Sequence, residues 1–486
     1  MCSMFASSSI PSAHPVSSNA AASYDLPSDP TALVVRDRSG EQRWTVSIPS
    51  SATFPLKAGQ YQDICTKAEA LSSEFSHRSR LERVKDWRWK GAYYREDPSY
   101  LDVAEAQRTG VLPLSQSHDN GTCHSSMTFS MATDDVSFGK TLLLLWMSYG
   151  LAKKEGRAFF IDDSHWPYGS YTSYFTPPPS AGCTPPPRDQ IVPCPHNAKH
   201  IVVSAATAQW TFGPAFQAEF ATARYGLDRG GHRVFDLLRT GYEDLFHLFG
   251  DDAKYVTQRL HELQTLSEVS GHPTVAMQIR RGDLHPLEYE YSRDYLPLER
   301  YTSAADRLLH SISSRSGISK EDRDRPSSNE QPPFLISSDD PTLPTHRDLL
   351  LAAHPHPLLP AQTRILLATK AALDLSSPAV PIRAPGSAYV KHVDENAGWD
   401  GGFYASLFNS LGGGEDSAAA MKMRELVGRG YLLDLAVLAR SDGVVCGVGG
   451  AGCRLVGVMM GWEAVREGRW VNVDDGRGWS WDGGRG

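Results

Sequence analysis

Three short apolar runs in the second half of the chain do most to limit its fold. "TVAMQI" (274–279) ends in Arg280, Arg281, Gly282 and Asp283. "PFLISS" (333–338) ends in Asp339 and Asp340. "GVVC" (443–446) ends in the glycine-rich "GVGGAG" (447–452). Each run has strand length, closes in polar or glycine residues, and is followed by a stretch that reads as a helix. Strand–helix alternation of this kind predicts a parallel sheet with crossover helices, hence the α/β class.

The first half is less regular. "FGKTLLLLWMSYGLAKK", from Phe138, carries apolar residues on most faces and predicts a buried helix. "RAFFIDD" (157–163) and "HIVVSA" (200–205) predict strands, and "VFDLLRTGYEDLFHLFG" (234–250) a helix. "TPPPSAGCTPPPRDQIVPCP" predicts an irregular surface loop. Residues 1–55, rich in Ser, Ala and Pro at the start, predict a disordered tail, and residues 473–486 a flexible one. Between them the pattern predicts an N-terminal α/β domain at 56–265 and a C-terminal α/β domain at 266–472.

Charge narrows the function. The 486 residues carry a formal net charge of -8, which disfavours a protein that lies along a nucleic acid. Any anion site must therefore be local. No run reaches the ~18 apolar residues that span a bilayer, and the N-terminus shows no signal-peptide pattern. The seven cysteines include no zinc spacing. Cys183 and Cys194 flank the proline-rich loop and are candidates to pair; free thiols are the alternative. Asn120 heads the one glycosylation sequon, which matters only in the secretory pathway.

Ligands of open α/β sheets bind beyond the carboxyl ends of the strands. Arg280 and Arg281 lie there, and guanidinium forks suit phosphate oxygens. One structural ion pair and one surface arginine is the other reading, and an RGD adhesion loop at 281–283 a third. Asp339 and Asp340 end the next strand; one accepts from a ribose or base, or one merely caps a helix. Gly449 and Gly450 precede a helix, whose free N–H groups form an anion site, or the glycines only make a tight turn.

Taken in order, "QIRRGD", "LISSDDP" and "GYLLDLAVLARSDGVVCGVGGAGCR" resemble the three signature regions of the α-1,6-fucosyltransferases and the related protein O-fucosyltransferases, in a divergent, fungal-type form. "FIDDSHWPYGSYTSYFTP" resembles an upstream stretch of the same family. The resemblance covers roughly residues 135–470. It implies a GT-B-like fold of two Rossmann-like domains with mostly parallel sheets, the acceptor side at 56–265 and the nucleotide-sugar-binding domain at 266–472. It implies an inverting fucosyltransferase with GDP-fucose as donor substrate, no metal and no other cofactor, and a glycan or glycoprotein as acceptor. By this resemblance Arg280, Arg281 and Glu288 are catalytic, with His285 and Glu290 competing for the role of base. Asp283, Tyr301, Asp339, Asp340, Asp434, Gly449 and Gly450 would bind the donor. The chain departs from the family at Gln278, where the family has histidine, at Leu284, where it has lysine, and at Gly449–Gly450, where it has two serines. A non-catalytic relative that binds a nucleotide or glycan, or a GT-B enzyme using another nucleotide sugar, are the alternatives. The resemblance places the protein in the Golgi or endoplasmic reticulum lumen.

Overall fold

The computed structural model describes residues 26–78, 93–114, 121–132, 137–221, 230–281, 296–315, 331–366, 418–474 and 476–482. The fold is α/β with two parallel sheets, the GT-B-like class expected from the sequence.

Residues 31–47, expected within a disordered tail, instead form an antiparallel hairpin of β1 (Thr31–Arg36) and β2 (Gln42–Ser47). Its apolar residues were overshadowed by the Ser/Ala/Pro-rich stretch before it. Trp44 is 1% exposed and packs on Tyr100 with ring centroids 4.7 Å apart. Helix α1 (Ala58–Arg78) packs on this hairpin.

The first parallel sheet has the order β4–β3–β5, with β3 (Ser126–Ser130) between β4 (Ala158–Asp162) and β5 (His200–Val203). The central strand, "SMTFS", was not foreseen; its three hydroxyl residues hide an otherwise apolar, buried strand. Helix α2 (Phe138–Glu155) is buried along most of its length, as its unbroken apolar surface requires. It crosses α3 (Gly230–Leu245) at two glycines. A Cβ on Gly150 would lie 2.0 Å from the Leu237 carbonyl, and one on Gly241 2.3 Å from that of Trp146.

Helix α4 (Gly250–Ser270) leads into the second sheet, whose order is β10–β9–β6–β7–β8, all parallel. The strands are β6 (Val275–Ile279), β7 (Phe334–Ser338), β8 (Leu358–Pro360), β9 (Gly443–Cys446) and β10 (Trp470–Asn472). Helices α5 (Leu298–Arg315), α6 (Arg347–Ala353), α7 (Ala418–Leu438) and α8 (Ala451–Met460) belong to this half. Strand alternation divides β6. Val275, Met277 and Ile279 join the cluster around α5, while Ala276 joins the main core.

The tail at 473–486 is also corrected for its described residues. Trp479 packs on Phe235 at 4.9 Å and donates to the Arg454 carbonyl at 3.0 Å. The helix expected to open at Asp339 starts later, at Arg347. Cys183 pairs with Cys123 rather than Cys194, which pairs with Cys65; Cys446 pairs with Cys453. The partners of both loop cysteines lie far back in sequence, so proximity along the chain pointed to the wrong bond.

Candidate functional site

A cavity opens at the carboxyl ends of β6 and β7, beside the turn that follows β9. Its lining includes Gln278 and Arg280 from the end of β6, and Ser337, Ser338 and Asp339 from the end of β7. Helix α7 supplies Val427, Gly430, Tyr431 and Asp434, and the start of α8 supplies Gly450, Ala451 and Gly452. Gln362 and Ile365 close the remaining side.

Period-two alternation explains which arginine enters. Gln278 and Arg280 follow Ala276 on one face, and both line the cavity. Arg281 is not among the lining residues. Its backbone N–H donates to Asp339 Oδ1 at 2.6 Å, joining the ends of β6 and β7. Arg280 is 8% exposed, so its charge acts where water screens little.

The glycine turn is held from behind. Arg454, buried in α8, donates to the carbonyls of Gly449 at 3.0 Å and Gly450 at 3.5 Å. Its other nitrogen donates to the Trp481 carbonyl at 3.1 Å. Asn472 Oδ1 accepts from the Val448 N–H at 3.0 Å. The Cys446–Cys453 bond brackets the turn, with both cysteines fully buried. The tightest point is Gly452. A Cβ there would meet Gln278 Nε2 at 2.9 Å and the Tyr431 hydroxyl at 3.1 Å. The start of α8, at Gly450, Ala451 and Gly452, thus lines the cavity beside Arg280, and a helix N-terminus next to a guanidinium suits an anion.

The carboxylates lie in the same cavity. Burial raises the pKa of Asp434 to about 8, with a hydrogen bond from Ser337 acting in the opposite sense. A neutral Asp434 can donate a hydrogen bond and would not repel an anion in the same cavity. Asp339 lines the cavity too.

Other expected residues fall elsewhere. Asp340 closes a turn, accepting from Thr342 N at 2.9 Å and Thr342 Oγ1 at 2.6 Å; it does not line the cavity, and His346 rather than Asp340 caps the helix that follows. Tyr301 is fully buried and does not line the cavity; burial, then Asp474 and Asp339, push its pKa up. Its hydroxyl lies 3.5 Å from where a Cβ on Gly447 would stand, so it supports the glycine turn. Gly449 contributes its carbonyl to Arg454, and Gly450 lines the cavity. Asp283, Glu288, His285 and Glu290 lie outside the described residues, as does Asn120. Sequence reasoning missed Ser337, Gln362, Tyr431 and Arg454 as parts of the site. The first was accessible from alternation along β7; Gln362 depends on a loop that no periodicity marks.

Among the described residues no group of three or more His, Cys, Asp or Glu side chains is placed to hold a metal ion, and no helix is long and apolar enough to cross a membrane.

Comparison with known proteins gives no family model and no curated protein that matches. Solved structures do align. The fucosyltransferase NodZ from Bradyrhizobium is 13% identical, with 66% of this chain and 87% of that one covered and a TM-score of 0.29. NodZ α-1,6-fucosyltransferase soaked with GDP-fucose is 13% identical, covering 69% and 92%, with a TM-score of 0.30. The same enzyme co-crystallised with GDP is 14% identical, covering 68% and 91%, with a TM-score of 0.28. The present chain is similar to these proteins over about two thirds of its length.

Proposed function

We propose that the chain is a glycosyltransferase that takes its sugar from a nucleoside diphosphate, with GDP-fucose the donor indicated by the sequence resemblance. One observation carries this reading. Arg280 and the first turn of α8 share a single cavity with Asp339, Asp434, Ser337 and Gln362, at the carboxyl ends of parallel strands. The cationic side suits a diphosphate and the hydrogen-bonding side a nucleoside.

In this reading Arg280 and the α8 amides stabilise charge that develops on the departing diphosphate. A base deprotonates the acceptor hydroxyl, which attacks the sugar carbon from the opposite face and inverts it. The resemblance assigns that base to Glu288 and the acceptor to a glycan or glycoprotein. GDP-fucose enters as a substrate, so the scheme uses no resident cofactor or metal. Three disulfides fit an oxidising compartment, in keeping with a lumenal enzyme of the secretory pathway.

The test is thermal stability against GDP, GDP-fucose, GDP-mannose, UDP and UDP-sugars, with wild type and Arg280→Ala. A ligand that binds only the folded state raises the melting temperature. The reading expects stabilisation by GDP compounds, abolished in the variant. No shift with any nucleotide would sink it. The all-glycine turn at Gly449–Gly450, without hydroxyl side chains, favours a second reading as a binding protein that transfers nothing. Nucleotide binding with no sugar released or transferred across an acceptor panel would select that one.

A further inference from the structure

One wall of the cavity is set by a residue that does not line it. On α4, Asp252, Tyr255 and Arg259 have i, i+3, i+7 spacing and so share a face. That face holds residues 360–364 in order. Arg259 donates to the carbonyls of Pro360 at 2.8 Å and Ala361 at 3.1 Å. The Thr363 N–H donates to the Tyr255 hydroxyl at 2.7 Å. Arg364 Nε donates to Asp252 Oδ1 at 2.8 Å.

The same carboxylate takes a second arginine from α7. Arg429 donates from Nε to Oδ2 at 2.7 Å and from Nη2 to Oδ1 at 3.0 Å. Asp252 is 7% exposed. Burial opposes its charge, yet Arg429 and then Arg364 hold its pKa below the usual carboxylate range.

The next residue after each arginine is a cavity residue. Ile365 follows Arg364, and Gly430 follows Arg429. These two meet: a Cβ on Gly430 would lie 3.4 Å from Ile365 Cγ2. Two dipeptides from distant parts of the chain therefore turn their arginines to one aspartate and their neighbours to each other.

We propose that Asp252 is a positioning residue which, by holding Arg364 and Arg429 on one carboxylate, fixes the Ile365–Gly430 wall and so the size of base the cavity accepts. The inference rests on the nucleotide reading given above. Buried ion pairs add little net stability but hold geometry, which is the role assigned here.

The test is calorimetric: the affinities of GDP and UDP for wild type, Asp252→Asn and Arg364→Ala, each with its melting temperature. Wild type is expected to prefer GDP. Asp252→Asn is expected to cut the GDP-to-UDP ratio by about tenfold or more, the scale of discrimination a shaped pocket supplies. A merely structural role would lower the melting temperature and leave the ratio unchanged, which would overturn the inference. Should Asp252→Asn fail to fold, Arg364→Ala decides alone, because it releases one limb and leaves Arg429 on the carboxylate. An unchanged ratio there overturns the inference while the nucleotide reading stands. Wild type binding neither nucleotide overturns both, and equal affinity for the two overturns the inference.

Discussion

The backbone N–H of Arg281 lies 2.6 Å from the Asp339 carboxylate, while the side chain of the preceding residue, Arg280, lines the cavity. Adjacent arginines thus have separate tasks. Arg280→Ala is expected to weaken nucleoside diphosphate binding by at least about 2 kcal/mol, the scale of losing a charge-assisted contact. Arg281→Ala keeps its backbone bond to Asp339 and is expected to cost binding less. Calorimetric titration with GDP checks the order of the two.

Asp434 predicts a pH dependence. Its pKa is about 8 in the folded state against 3.8 for the ordinary carboxyl. Between those values the unfolded chain has lost a proton that the folded one keeps. Stability from this group is present below the lower value and falls as pH rises towards the upper one. Asp434→Asn removes that dependence. The variant should gain on wild type by more than about 1.4 kcal/mol, one pKa unit's worth, between pH 5 and pH 8. Urea denaturation at the two pH values measures the difference, and parallel curves for the two proteins would contradict it.

The disulfides should rank by the loops they close. Cys65–Cys194 spans 129 residues and Cys446–Cys453 spans 7. On chain entropy, removing the first costs roughly 5 kcal/mol and the second roughly 2 kcal/mol. Paired Cys→Ser variants compared by chemical denaturation should show that order, and the short bond's variant should bind nucleotide less well because it brackets the glycine turn.

Gly150→Ala should damage the first half without touching the cavity. The new methyl would lie 2.0 Å from the Leu237 carbonyl, a backbone atom that cannot rotate away. Forcing α2 and α3 apart should cost at least about 1–3 kcal/mol, the range for overpacked cores. A melting temperature equal to wild type would show that the crossing is looser than described.

Much of the second half was legible because its strands are apolar and end in conspicuous residues. "TVAMQI" gave β6 and placed Arg280 at its carboxyl end, which is where the cavity lies. Alternation could have separated Arg280 from Arg281, since the strand's pattern reaches as far as Ile279 before them. The first half hid its central strand because "SMTFS" mixes hydroxyl and apolar residues. Tertiary pairing on both sides decides such a segment, and local pattern does not. The Asp252 cluster was unreadable for a similar reason. Its partners, Arg364 and Arg429, are 112 and 177 residues away along the chain.

The carbonyl of Trp481 meets Arg454, whose other nitrogens hold Gly449 and Gly450. The wall assigned to the diphosphate is therefore completed by almost the last described residues. Synthesis proceeds from the N-terminus, and earlier regions fold first. The strands of the first parallel sheet all precede residue 204, so that sheet does not wait for this brace. Arg454 thus makes the shape of the turn depend on where the 479–482 segment lies, and displacing that segment would free the turn.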